Sequence, residues 1–165
     1  MERMVRMVFL VVFAFCMFAQ GVRGEELVDT AIYNQLSRRA DSLVGSQFET
    51  TGLEWSVSLD RGRYMDIGFT MYADVYYRVV VVSASGERAV RYRLFDVDRN
   101  VLYDSEDFGN PSRWDFLLTS TVSLRLNLYG LSNVGRRGKE HILVRIAFCR
   151  TDRELQSVQC NPVQE

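Results

Sequence analysis

Histidine and lysine are nearly missing from this chain: His141 and Lys139 are its only examples. One histidine and the cysteines Cys149 and Cys160 are too few to close a four-ligand zinc site. Excess basic charge is missing too. The sequence has 20 Lys+Arg against 21 Asp+Glu, net −1, which excludes the strongly basic surface that nucleic-acid binding needs. The longest apolar run, Met7 to Ala19, is 13 residues, short of the ~20 that a membrane-spanning helix requires. Prolines number two, and Pro111 blocks Asn110-Pro111-Ser112 as a glycosylation acceptor. No Gly-rich phosphate loop and no nucleophile–histidine motif stands in their place, so the residues present speak of fold and compartment more than of chemistry.

The 165 residues allow one domain. Arg3 and Arg6 precede the apolar run, and Ala19, Gly21 and Gly24 follow it. That order predicts a cleaved secretory signal peptide over residues 1–24 and a periplasmic or secreted protein with no later transmembrane segment. The segment carries Arg3, Arg6 and Arg23 against Glu2, a net of +2. Subtracted from −1, it leaves a remainder at −3. Cys16 belongs to that segment. Cys149 and Cys160 remain, an even number in an oxidising compartment, and are expected to form a disulfide. The bond would close a loop of about a dozen residues and stabilise by ~3 kcal/mol in the chain-entropy picture.

Residues 25–48 read as the helical part. Leu27, Val28, Ala31, Ile32, Leu36, Ala40, Leu43 and Val44 form an apolar stripe at helical spacing, with Gly45 as the stop. The stripe is expected to pack on the rest, or else to dock into a partner. After Gly52 the period becomes two. Trp55, Val57 and Leu59 alternate with Ser56, Ser58 and Asp60. Met65, Ile67, Phe69 and Met71 share one face, with a bulge expected at Gly68. Val79 to Val82 is apolar throughout, as in a central strand covered on both faces. Val90, Tyr92 and Leu94 alternate with Arg91, Arg93 and Phe95. Short strands follow at Val101–Tyr103 and Trp114–Leu118. Val122, Leu124, Leu126 and Leu128 alternate cleanly, and Ile142, Val144, Ile146 and Phe148 make the last strand. Seven or eight short strands at this spacing predict a mainly β protein, an antiparallel β-sandwich over residues 53–149, with residues 150–165 as a tail tied back by the disulfide.

The order of Leu59-Asp60-Arg61-Gly62-Arg63-Tyr64, Tyr77 to Val81, Arg93 to Asp104, Trp114-Asp115-Phe116 and Thr121 to Leu128 resembles bacterial pre-peptidase C-terminal-type domains and the related GOLD-like sandwiches. The resemblance spans residues 53–148. It departs where Arg99-Asn100 and Ser120-Thr121 replace glycines of the family pattern. It implies an exported, jelly-roll-like accessory domain without catalytic residues.

Three sets of side chains are candidates for chemistry. Arg78, Arg91, Arg93, Arg125 and Arg145 each sit on an expected strand; on neighbouring strands they would form a cationic face for carboxylate, sulfate or phosphate groups. Asp96, Asp98, Asn100 and Asp104, with Glu106 and Asp107 nearby, have the oxygen-rich spacing of a calcium loop. However, Val101 stands where such a loop needs glycine, and a polar turn is the alternative. Asp96 and Asp104 are also the pair a small hydrolase would use. Aromatic residues such as Tyr64, Tyr129 and Trp114 fill sandwich cores or build carbohydrate platforms, and the core is the expectation here. Together these lead to a non-enzymatic binding or interaction module with a protein or glycan partner and no resident cofactor, calcium aside. The alternatives are a structural envelope subunit docking through its helix and the paired-carboxylate hydrolase.

Overall fold

The computed structural model describes residues 29–60, 62–86, 88–131 and 139–150. The expected signal peptide, Cys160 and the tail, and most of the basic loop after Leu131 lie outside the described residues. The elements are α1 (Thr30–Val44), β1 (Glu49–Asp60), β2 (Tyr64–Met71), β3 (Val75–Ser83), β4 (Val90–Phe95), β5 (Val101–Asp104), a short 3-10 turn (Ser105–Phe108), β6 (Arg113–Leu118), β7 (Val122–Gly130) and β8 (Lys139–Arg150).

The eight strands form two antiparallel sheets. Sheet A has the order β1-β8-β3-β6 and sheet B the order β2-β7-β4-β5. First pairs with last, second with seventh, third with sixth and fourth with fifth. This is the pairing of one long hairpin folded over onto itself, the strand order of a jelly roll. The mainly β sandwich expected from the alternating pattern is therefore the fold.

Alternation decides which residues enter the space between the sheets. Val57 and Leu59, Ile67, Phe69 and Met71, Tyr92 and Leu94, Leu124, Leu126 and Leu128, and Ile142, Val144 and Ile146 all point inward and form the main core. The apolar run in β3 divides between two cores. Val79 and Val81 join the main core, while Val80 and Val82 face the other way. There they meet Leu36, Ala40 and Val44 of α1, with Leu143 and Ala147 of β8. Ala40 and Ala147, both fully buried, leave room for the helix backbone to lie close to the sheet. From Ile32 to Val44 the apolar stripe of the helix is thus spent inside the molecule.

Leu27 and Val28 of the expected stripe lie outside the described residues. Asp29 is the N-cap of α1, accepting the Ala31 N–H at 2.9 Å. The helix ends at Gly45, whose φ of 70° is the left-handed conformation that favours glycine. The bulge expected at Gly68 is absent: β2 and β7 pair without a break from Tyr64↔Tyr129 to Met71↔Val122. The irregularities fall instead between Thr50 and Glu54 of β1 and between Leu94 and Phe95 of β4. Both lie on strands at or next to a sheet edge.

Candidate ligand-binding face

The five arginines do not share a face. Arg78 and Arg145 project from the outer side of sheet A, the side that α1 covers, and both are buried. The Arg78 guanidinium donates to both oxygens of Asp115 on β6, at 2.7 and 2.6 Å. It also donates to the backbone carbonyls of Leu43 and Val44, at 3.2 and 2.8 Å. These are carbonyls that the last turn of a helix leaves without intrahelical partners. The Phe48 ring lies beneath the guanidinium, 4.0 Å from ring centre to Cζ. Arg145 donates to Glu54 at 2.6 Å, to Ser37 at 3.0 Å and to Asp41. Two buried cations thus pin the helix to the sheet, and neither is open to a ligand. A cleft of about 430 Å³ opens beside Arg145, lined by Asp41, Thr50, Gly52, Leu53 and Glu54. Its two carboxylates both engage Arg145, and Tyr33 donates its hydroxyl to Glu54 at 2.7 Å. That bond and the adjacent negative charge hold the Tyr33 hydroxyl above its ordinary pKa.

Arg91, Arg93 and Arg125 project from the outer side of sheet B, which no described element covers. Arg91 donates to Asp104 at 2.9 and 2.5 Å and is paired with Glu106. Arg93 donates to the same carboxylate at 2.7 Å. The hydrogen bonds from Arg91 hold the Asp104 carboxyl at a pKa of about 2, against the opposing effect of burial. Arg125 is exposed. Asp66, Asp104 and Glu106 therefore offset Arg91, Arg93 and Arg125 one for one. The face expected to be cationic is close to neutral.

Three successive cross-strand pairs organise the border of β2 and β7: Tyr64↔Tyr129, Asp66↔Asn127 and Gly68↔Arg125. Pairs two residues apart are ~7 Å apart along the strands, so the row is ~14 Å long. The tyrosine rings lie 5.9 Å apart and tilted by 39°, and Tyr64 is 63% exposed. Asn127 is buried and donates its amide to Asp66. Its own oxygen, Oδ1, has no hydrogen-bond partner among the described residues. At Gly68, nothing lies within 4 Å of where a Cβ would sit, which leaves a notch between Asp66 and Thr70. Arg93 continues the row onto β4, with its Cζ 5.8 Å from the Tyr129 ring centre.

The expected calcium loop has the hydrogen bonds of a turn. Asp96 uses both carboxylate oxygens on Asn100, accepting its backbone N–H and its side-chain amide at 2.8 Å each. These bonds lower the Asp96 pKa. Arg99, with φ of 65°, completes the reversal. Asp104 lies across from Arg93, ~10 Å along the strand from Asp96. The two carboxylates expected of a hydrolase do not converge. No group of three or more His, Cys, Asp or Glu side chains among the described residues could hold a metal ion.

Sequence reasoning missed the partner of His141. Ser58 lies opposite it on β1, with Oγ 2.8 Å from Nδ1. No acidic side chain among the described residues is bonded to the imidazole, so the group that orients the base in a catalytic triad is missing from the pair. Tyr64, Asp66, Gly68 and Asn127 were also missed as a set. Their signal was their alternation with inward residues, which marks an outer face but not whether that face is covered.

No family model matches this chain, and no curated protein matches it. Among solved structures it is similar to the crystal structure of Aeromonas hydrophila PliG, a periplasmic inhibitor of g-type lysozyme. The identity is 12% and the TM-score 0.45, over 58% of this chain and 84% of that chain. A likeness at that level bears on neither function nor partner.

Proposed function

We propose that this protein is a non-enzymatic binding module of the cell envelope or extracellular space, and that it binds through the outer face of sheet B. One observation carries the reading: helix α1 covers sheet A, whereas the opposite face of the sandwich carries exposed aromatic, carboxylate and guanidinium side chains, on Tyr64, Asp66 and Arg125, with no described element over them. Export is supported by the sequence of residues 1–24 and by the pair Cys149 and Cys160. The absence of enzymatic activity is supported by the saturation of the carboxylates: Asp104 by two arginines, Asp41 and Glu54 by Arg145. Docking through the helix has little support, because Leu36, Ala40 and Val44 are buried against the sheet.

The test is retention of envelope material on immobilised protein. Wild type is compared with a face variant, Tyr64→Ala with Arg125→Ala, and with a helix-surface control, Arg38→Ala. Loss of retained material in the face variant alone is the expected result. Equal retention by all three removes this face as the binding surface.

A second reading has its own observation. Val97, Val101, Leu102 and Phe108 are all at least half exposed and cluster around β5, an edge strand. Exposed apolar side chains on a sheet edge suit a protein partner that adds a strand. Retention that depends on Leu102→Glu rather than on the face variant would select it.

A further inference from the structure

The uncovered face also has features that select among ligand classes. From the row along β2 and β7, we infer that the ligand is a neutral oligosaccharide, an inference that rests on sheet B being the binding face. Its ionic charges cancel, so the face offers little to pull in a polyanion. The Tyr64 ring presents an apolar surface of the kind that the C–H face of a pyranose covers. Next along the row, the exposed Asp66 carboxylate, held by the Asn127 amide, can accept hydrogen bonds from vicinal hydroxyls. A buried acceptor with no donor carries a desolvation cost, and Asn127 Oδ1 is one. A sugar hydroxyl would supply the donor once the neighbouring side chains of the face swing aside, since no described element lies over them. The row ends at Gly68, where the missing side chain leaves depth for a ring, beside the exposed Arg125 guanidinium with its several N–H donors.

The experiment is calorimetric titration of the protein with cellohexaose, xylohexaose and mannohexaose, and with hexagalacturonate as the anionic counterpart. Two variants leave the fold alone. Gly68→Gln fills the notch at a position where φ is ordinary and the space is open, and Tyr64→Ala removes an exposed ring. Unchanged melting temperatures establish that each is folded. The expected result is binding of at least one neutral hexasaccharide, weakened about tenfold by each variant. Preference for hexagalacturonate, lost in Arg125→Ala, overturns the neutral-ligand inference and leaves the face as the binding surface. Neutral binding that both variants retain in full overturns the inference together with the assignment of the face. Absence of binding to all of these sugars overturns the inference and leaves the face to the retention test above.

Discussion

Asp104→Asn is the most informative single change in sheet B. The carboxylate is 12% exposed and accepts three N–H bonds from Arg91 and Arg93. It also accepts the Glu106 backbone N–H at 3.1 Å, which starts the 3-10 turn. Asparagine keeps the shape but turns one acceptor into a donor facing a guanidinium. It leaves two arginines on one strand face with only Glu106 against them. Charge-assisted bonds contribute ~1.5–3 kcal/mol each when well buried. Because Arg91 and Arg93 are 22% and 30% exposed, solvent screening reduces the sum, and a destabilisation of ~2–3 kcal/mol is expected at pH 7. The pH dependence gives an independent check. Asp104 titrates at about 2 in the folded protein and at ~3.9 in an unfolded chain. A depressed folded pKa stabilises above the unfolded value, and that stabilisation fades as pH falls from ~4 to ~2. After allowance for screening, ~1–2 kcal/mol of the wild-type advantage should disappear over that interval. Urea unfolding followed by the fluorescence of Trp55 and Trp114 measures it. A wild-type-to-variant gap below ~0.5 kcal/mol at pH 7, or a gap that stays constant down to pH 2, refutes the reasoning.

Other perturbations separate helix docking from sandwich stability. Leu36→Ala removes a fully buried side chain between α1 and sheet A and should cost ~2–4 kcal/mol in a denaturant titration. Arg145→Met leaves Glu54 without its main counter-charge and frees Asp41 on the helix. A loss of ~2–3 kcal/mol is expected, with hydrogen exchange accelerated in α1 before β3 and β8. Arg78→Lys keeps the charge but cannot reach both Asp115 oxygens and two helix-end carbonyls at once; it should lower stability by ~1–2 kcal/mol on the same assay. Trp114→Ala breaks a ring stack, with Tyr103 centred 3.9 Å away on one side and Phe116 4.4 Å on the other. It should cost ~3 kcal/mol, read as a fall in urea midpoint.

The strands were legible because their inward residues repeat every second position, and α1 because its stripe repeats at helical spacing. The strand order was not. Glu49 pairs with Phe148 and Tyr64 with Tyr129, across stretches of chain that carry no local sign of the match. The arginines show where the alternation argument stops. Arg78, Arg91, Arg93, Arg125 and Arg145 each fell on an expected strand, several of them opposite the apolar face, but an outward residue is exposed only if nothing covers its sheet. A hint was present in β3: an apolar run suited to a strand covered on both faces implies that an arginine within that strand is buried and paired, and Arg78 is. Gly68 read as a bulge because glycine weakens a strand, whereas its register is regular and its consequence is empty space above the sheet. Asp96 and Asn100 had the spacing of ligands but bond to each other, the ordinary use of such residues in a turn. The candidate face was the least legible part, since it depends on one sheet being covered and the other not.

The most direct test of that asymmetry is an NMR titration of the isotope-labelled protein with whichever hexasaccharide binds best. The account predicts shift changes confined to residues 64–70, 91–95 and 123–129, with α1 unperturbed. Changes concentrated in α1, or along the edge formed by β5 and β6, while residues 64–70 and 123–129 stay still, would contradict it.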